Sequence, residues 1–311
     1  MSQLTRKPNF GWLLPSGTQR MPGKTGDYFP HIHQVLDMIR GCFHSFWIPD
    51  HLMDGLSDIP EAIVTLSYLA PKFPELYLGT CVLSQSYRNP ALLAKMGATL
   101  QNLSQGRFIM GIGAGWKEDE YLSYGYAFPK SSVRIAQLSE AVQICKLMWD
   151  SNQSEATFKG RYYQIEHAIC LPKPKNPILI MIGGGGEQLT LRVIARFADW
   201  WNLPGASADV FSHKLSILED YCRELDRPPQ EIRKTWMGTV SIAKTRGEAE
   251  MKMEQFPAWP GDNPFLGTPL EILRQIQDYT KLGIDLFILR FADEPDLSGI
   301  QLFINQVLSK L

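Results

Sequence analysis

Several short stretches of this 311-residue chain carry side chains able to do chemistry. Pro49-Asp50-His51 sets an acid beside an imidazole, a pair suited to general acid/base work or to anchoring a cofactor. Taken alone, a turn-capping aspartate next to an ordinary loop histidine is the commoner meaning. Thr80-Cys81-Val82-Leu83-Ser84 offers small polar groups to a flat ligand, but ordinary packing inside a sheet explains them as well. Gly111-Ile112-Gly113-Ala114-Gly115-Trp116 has a G-x-G rhythm without the spacing of a dinucleotide fingerprint. Its glycines suit close backbone approach to a ligand or a positive φ. Glu118, Asp119, Glu120 and Tyr121 follow with Trp116 as a polar and aromatic segment. Gly183-Gly184-Gly185-Gly186-Glu187 exposes successive backbone N–H groups directly before a helical stretch, which suits a phosphate; a flexible turn is the alternative. In Asp199-Trp200-Trp201-Asn202 the two indoles of a strand must face opposite ways. Arg290 closes an apolar run and needs an anionic partner: a substrate, a cofactor phosphate, or Asp293 or Glu294 of the same chain.

Such residues act only if the chain brings them together. Eight strands are expected, at Phe10–Leu14, Phe43–Pro49, Leu76–Leu83, Phe108–Ile112, Ile178–Ile182, Asp199–Leu203, Thr235–Ile242 and Asp285–Arg290. Most are continuous apolar runs, the pattern of parallel strands covered on both faces. Amphipathic stretches alternate with them, as at Ile32, Val35, Leu36 and Ile39, and these stripes read as core-facing helix surface. Asn89-Pro90 and Thr268-Pro269 with Glu271 mark helix starts; Gly106 and Gly283 mark helix ends. Eight alternating units predict a single (β/α)₈ TIM barrel over residues 1–311, with the strand exits gathered on its C-terminal face. Three long connections stand out: Gly115–Ser132, Ser151–Lys175 and Arg246–Gly267. The first and third follow strands and are candidate lids.

Composition narrows the function classes. Lys plus Arg is 31 against 32 for Asp plus Glu, a net charge of −1 without a basic block. Nothing in that balance invites nucleic acid or an anionic membrane surface. Five scattered cysteines without a C-x-x-C pair predict no metal site and no disulfide framework. No signal peptide and no spanning apolar run are read, so a cytoplasmic protein is expected.

The stretches Phe46–His51, Leu76–Tyr121, Ile180–Asn202 and Leu282–Phe291 together closely resemble the bacterial luciferase-like flavin-dependent oxidoreductases. The resemblance spans nearly the whole chain in the family's order and is closer to the deazaflavin branch than to the light-emitting enzymes. It implies a barrel binding FMN or coenzyme F420 at its C-terminal face. It implies His51 as catalytic acid/base, with Asp50, Ser84, Ala114, Gly115 and Asp119 as cofactor contacts. It implies a non-prolyl cis peptide at Cys81-Val82 behind the ring and a phosphate-side cradle at Gly185 and Gly186. Sugar-phosphate dehydrogenases of that branch carry a catalytic glutamate after the G-x-G-x-G, where this chain has Trp116. Their tryptophan after the PDH motif is also missing, with Asp54-Gly55 in the area. The resemblance therefore stops short of that specific activity.

The leading expectation is a monooxygenase using reduced FMN from a separate flavin reductase, O₂ and a small organic substrate. Trp12, Trp116, Trp201 and Arg290 are expected around that substrate. The alternative is F420-dependent hydride transfer without oxygen; a barrel that only binds a partner is the third reading. A homodimer is expected on family grounds.

Overall fold

The computed structural model describes residues 7–18, 28–256 and 261–311. Eight parallel strands close on themselves. They are β1 (Asn9–Leu13), β2 (Ser45–Ile48), β3 (Tyr77–Thr80), β4 (Phe108–Gly113), β5 (Leu179–Gly183), β6 (Trp200–Pro204), β7 (Arg233–Ile242) and β8 (Ile284–Phe291). Each pairs with its successor, and β8 pairs with β1, with Phe10 opposite Phe287 and Trp12 opposite Leu289. This is the expected (β/α)₈ barrel, and closure leaves no unpaired edge.

The strands are apolar on both faces because two cores need filling. Outward side chains such as Phe10, Trp12, Trp201 and Trp236 pack under the helices. Inward ones, Leu13, Trp47, Ile109, Met181, Trp200, Leu286 and Ile288, fill the barrel with Cys81. The adjacent indoles of β6 thus part as alternation requires. Trp47 lies across the interior, and Nε1 donates to Ser45 Oγ at 2.9 Å. Its ring occupies the space that side chains at Gly11 and Gly79 on the flanking strands would need.

Helices α1 (Tyr28–Ile39), α2 (Ala62–Leu69), α3 (Pro90–Leu103), α4 (Glu118–Ser123), α5 (Ser131–Trp149), α6 (Thr190–Phe197), α7 (Ala208–Glu224), α8 (Arg246–Gln255), α9 (Pro269–Lys281) and α10 (Ser298–Gln306) complete the described helices, besides short 3₁₀ turns. The predicted boundaries carry the predicted devices. Asn89 Oδ1 accepts from the Ala91 and Leu92 N–H groups. Glu271 accepts from the Thr268 N–H and hydroxyl at 2.8 Å, and Gly106 and Gly283 have positive φ. No helix among the described residues is long and apolar enough to cross a membrane.

Three expectations change. The run Leu76–Leu83 is not one strand: β3 stops at Thr80, and Leu83–Ser84 forms a separate short pairing with β4. The long connections are structured, since α4 lies in the first and an antiparallel hairpin, Ala156–Lys159 with Gln164–Ala168, in the second. The third holds α8 and a short strand, Phe265–Gly267, parallel to β7; residues 257–260 lie outside the described set. The glycine run is separated from α6 by the turn Glu187–Leu189 rather than opening the helix directly.

Candidate active site

The strand exits form a rim at the C-terminal mouth. Between β3 and the Leu83–Ser84 pairing, the Cys81–Val82 peptide is cis. Space for this turn comes from glycines on its neighbours. The Thr80 carbonyl fills the place of a side chain at Gly111, and Thr80 Oγ1 donates to the Gly111 carbonyl at 2.7 Å. The Val82 side chain stands between Gly113 and Gly183, where added Cβ atoms would lie 2.8 and 3.0 Å from it. Cys81 is buried in the interior, with Sγ 3.4 Å from Met237 Sδ. Burial pushes its thiol up to about 12, so it stays protonated and is no nucleophile.

Asp50 and His51, adjacent in sequence, are bound differently. The Asp50 carboxylate accepts from the Ser84 N–H at 2.9 Å and from Arg88 Nη1 and Nη2, each at 2.9 Å. Arg88 also pairs with Glu61. Asp50 therefore ties the β2 exit to the segment after the cis peptide. His51 Nδ1 lies 3.0 and 3.2 Å from the two oxygens of Glu120. Glu120 is fully buried. It also accepts from the Leu52 and Met53 N–H groups at 3.1 and 3.2 Å and from Tyr87 Oη at 2.9 Å. Burial pushes its carboxyl up, but the hydrogen bond and charge of His51 and the bonds from Tyr87 and Met53 outweigh that and hold it below the usual range. An ionised acceptor at Nδ1 favours the tautomer with a proton there, which leaves Nε2 as the ring's acceptor. Trp116, 72% exposed, meets the His51 ring edge-on at 6.0 Å.

Ser84 Oγ is hydrogen-bonded to Tyr121 Oη. Gly115, at φ +79°, lies against this pair, and Ala114 offers its carbonyl to Tyr121 at 3.4 Å. Arg134 fastens the segment from behind, with Nε donating to the Gly115 carbonyl at 3.3 Å and its guanidinium over Phe128 at 3.9 Å. Gly185 and Gly186 sit across the rim. Cβ atoms there would lie 2.6 Å from Leu203 Cδ1 and 2.8 Å from Thr190 Oγ1. Lys214 lies beside Gly185 and donates to Glu187 at 2.5 Å.

The rim thus brings together Asp50, His51, Cys81, Val82, Ser84, Ala114, Gly115 and Trp116, with Gly185 and Gly186 beyond Val82. Asp119 is exposed on α4; the buried acid is its neighbour Glu120. Trp12 does not line the mouth. It faces outward from β1, fully buried, and Nε1 donates to Glu294 at 2.7 Å. Trp201 likewise faces outward, against Phe211, and Nε1 donates to the Gly184 carbonyl at 2.9 Å. Arg290 pairs with neither Asp293 nor Glu294. Asp293 takes Lys252 at 2.7 Å, while Arg290, on the inward face of β8, pairs with Asp262 at 3.0 Å. Tyr121, expected only as part of the aromatic pocket, bonds Ser84. Arg88, Glu120 and Lys214 were missed, and only Glu120 carried a signal, as a member of the polar and aromatic segment after β4.

The profile of the luciferase-like monooxygenases matches residues 8–266. The chain belongs to that family. It is an oxidoreductase of the luciferase-like class. An F420-dependent glucose-6-phosphate dehydrogenase of Kineococcus radiotolerans is 31% identical over 288 residues, 90% of this chain and 78% of that enzyme. A phthiodiolone/phenolphthiodiolone dimycocerosates ketoreductase of Mycobacterium bovis is 27% identical over 86% of this chain and 71% of its own length. Among solved structures, an F420-dependent secondary alcohol dehydrogenase superposes with a TM-score of 0.82 at 18% identity, covering 97% of this chain and 98% of that one. A long-chain alkane monooxygenase superposes with a TM-score of 0.81 at 15% identity, covering 99% and 92%. At those identities the two superpositions speak for the fold alone.

Proposed function

We propose that this family member transfers a hydride between coenzyme F420 and a small organic alcohol or carbonyl compound, with His51 as the acid/base. The observation that carries this reading is the buried, ionised Glu120 on Nδ1 of His51, which stands three residues after the end of β2. The names of the relatives from Kineococcus and Mycobacterium support it.

The residues present fit a flat cofactor with a phosphate. Cβ atoms at Gly113, Gly183, Gly185 and Gly186 would crowd the Val82, Leu203 and Thr190 side chains, so this part of the rim presents bare backbone. Lys214, paired with Glu187, lies beside Gly185. Asp50, Cys81-Val82, Ser84, Ala114-Gly115 and Gly185-Gly186 are the residues that would hold the cofactor, with Asp119 at the outer edge. When bound, F420 supplies a two-electron hydride carrier. The chain's own part is the proton. His51 Nε2 takes it from a substrate hydroxyl in oxidation and returns it to the carbonyl oxygen in reduction. Glu120 stabilises the imidazolium formed in between.

His51→Asn should lower turnover with F420 by about 10²- to 10⁴-fold while F420 binding, read by its fluorescence, is retained. Unchanged turnover removes His51 from the mechanism. Oxygen insertion with reduced FMN, supplied by a separate flavin reductase, is the second reading; the family's description supports it. Turnover that proceeds without oxygen favours the first, and turnover that consumes oxygen favours the second.

A further inference from the structure

Inside the barrel, Thr235, Met237 and Thr239 share one face of β7, and Leu286, Ile288 and Arg290 share one face of β8. Leu286 and Ile288 belong to the interior core, and Met237 packs on it. Met237 also touches Cys81, the first residue of the cis peptide. Thr239 and Arg290 are therefore the next layer towards the mouth, roughly 7 Å further along the strands. Asp262, from the connection after α8, reaches into this layer. Arg290 Nε donates to Thr239 Oγ1 at 2.7 Å, and Arg290 Nη2 donates to Asp262 Oδ2 at 3.0 Å. Thr239 Oγ1 in turn donates to the same Oδ2 at 2.5 Å. The Phe256 ring lies 4.6 Å from the guanidinium carbon. The Asp262 side chain has no exposed surface, and its Oδ1 is buried with no donor among the described residues.

A guanidinium on the inward face of a barrel mouth is suited to phosphate or carboxylate. Here a carboxylate of the chain itself already occupies that role. A phosphorylated substrate would have to displace Asp262 and leave a buried carboxylate unpaired, or else lie against the lone pairs of Oδ1. An uncharged molecule meets neither obstacle.

We propose that Asp262 is a specificity-determining residue: it masks Arg290, closes the substrate side of the mouth to anions and reserves it for uncharged substrates such as simple alcohols. The inference rests on the hydride-transfer reading only for placing substrate at this mouth. Its test needs neither cofactor nor turnover, so the two can fail separately.

Inorganic phosphate and glucose 6-phosphate are titrated into the wild-type protein, Asp262→Asn and the double variant Asp262→Asn/Arg290→Gln, with thermal melts and tryptophan fluorescence as readouts. The wild type should show no saturable response at millimolar anion. Asp262→Asn should bind at least tenfold more tightly, and the double variant should lose the gain. If the asparagine variant does not fold by circular dichroism, Asp262→Ser serves in its place. Wild-type binding as tight as that of the charge-removed variant overturns the proposal, and so does a gain that survives the loss of Arg290.

Discussion

At the scale of single residues, the site depends on one carboxylate. Glu120 serves His51, Tyr87 and two backbone N–H groups at once, so Glu120→Gln keeps the shape and removes the charge. A charged hydrogen bond is worth about 1.5–3 kcal/mol, so kcat should fall by about 10- to 100-fold. F420 affinity should stay within a factor of a few; a variant that binds F420 poorly yet keeps its kcat would instead make Glu120 a fold residue. Glu294 allows a second prediction, about pH. Burial pushes its carboxyl from 4.5 up to about 8, with the Trp12 N–H and Arg290 working against the shift and Asp293 adding to it. Between those values the folded chain keeps a proton that the unfolded chain releases, so stability falls as pH rises through that window. Glu294→Gln should therefore melt higher than wild type at pH 8, and the gap should close near pH 4. Parallel melting curves across that range would show that the group titrates normally. Asp50 and His51 were readable because they are neighbours at a strand exit. Glu120 stands 69 residues from His51 and beside two other acids, and nothing in the letters says which of the three a short helix will bury.

At the scale of elements, strand positions came within a residue or two, because an apolar run between turn residues marks a buried strand directly. The break after Thr80 was hidden, since Leu76–Leu83 reads as one nearly continuous apolar run and only the glycines of β4 and β5 make room for the turn. Structure inside the long connections was hidden for the opposite reason. The hairpin strands and α8 bury few side chains, so they carry little hydrophobic periodicity. The segment from β4 into α4 shows how an element positions the site. Gly115 has φ +79°, and a Cβ there would collide with Tyr121 Oη and lie 2.8 Å from Ser84 Oγ. Gly115→Ala should cost more than the ~1 kcal/mol of an unfavourable φ alone and should displace α4, carrying Glu120 away from His51. The variant should lose thermal stability and turnover together, and adding Tyr121→Phe should restore part of both. If Tyr121→Phe restores neither, the collision is not what anchors α4.

At the scale of the molecule, two cores share one sheet, and the inner one supports the rim. Continuous apolar strands and a count of eight made the barrel legible. Which side chains fill its interior was not legible, because most strands are largely apolar on both faces and the tilt decides which residue looks in. Trp47 shows the consequence. Its indole fills the width of the interior against Gly11 and Gly79 and meets Trp200 at 6.2 Å, in the same cluster as Cys81. No neighbour can expand into the space if that ring is removed, because the flanking positions are glycines on closed strands. Trp47→Ala should therefore sit at the costly end for a large-to-small change, about 3–5 kcal/mol, read by urea unfolding with an unchanged denaturant slope. Because Cys81 loses packing beneath the rim, F420 affinity should fall as well, although Trp47 is not among the residues that would hold the cofactor. The stability loss with full F420 affinity would mean that the rim is held by its own hydrogen bonds, from Arg88 to Asp50 and from Tyr121 to Ser84, independently of the core below.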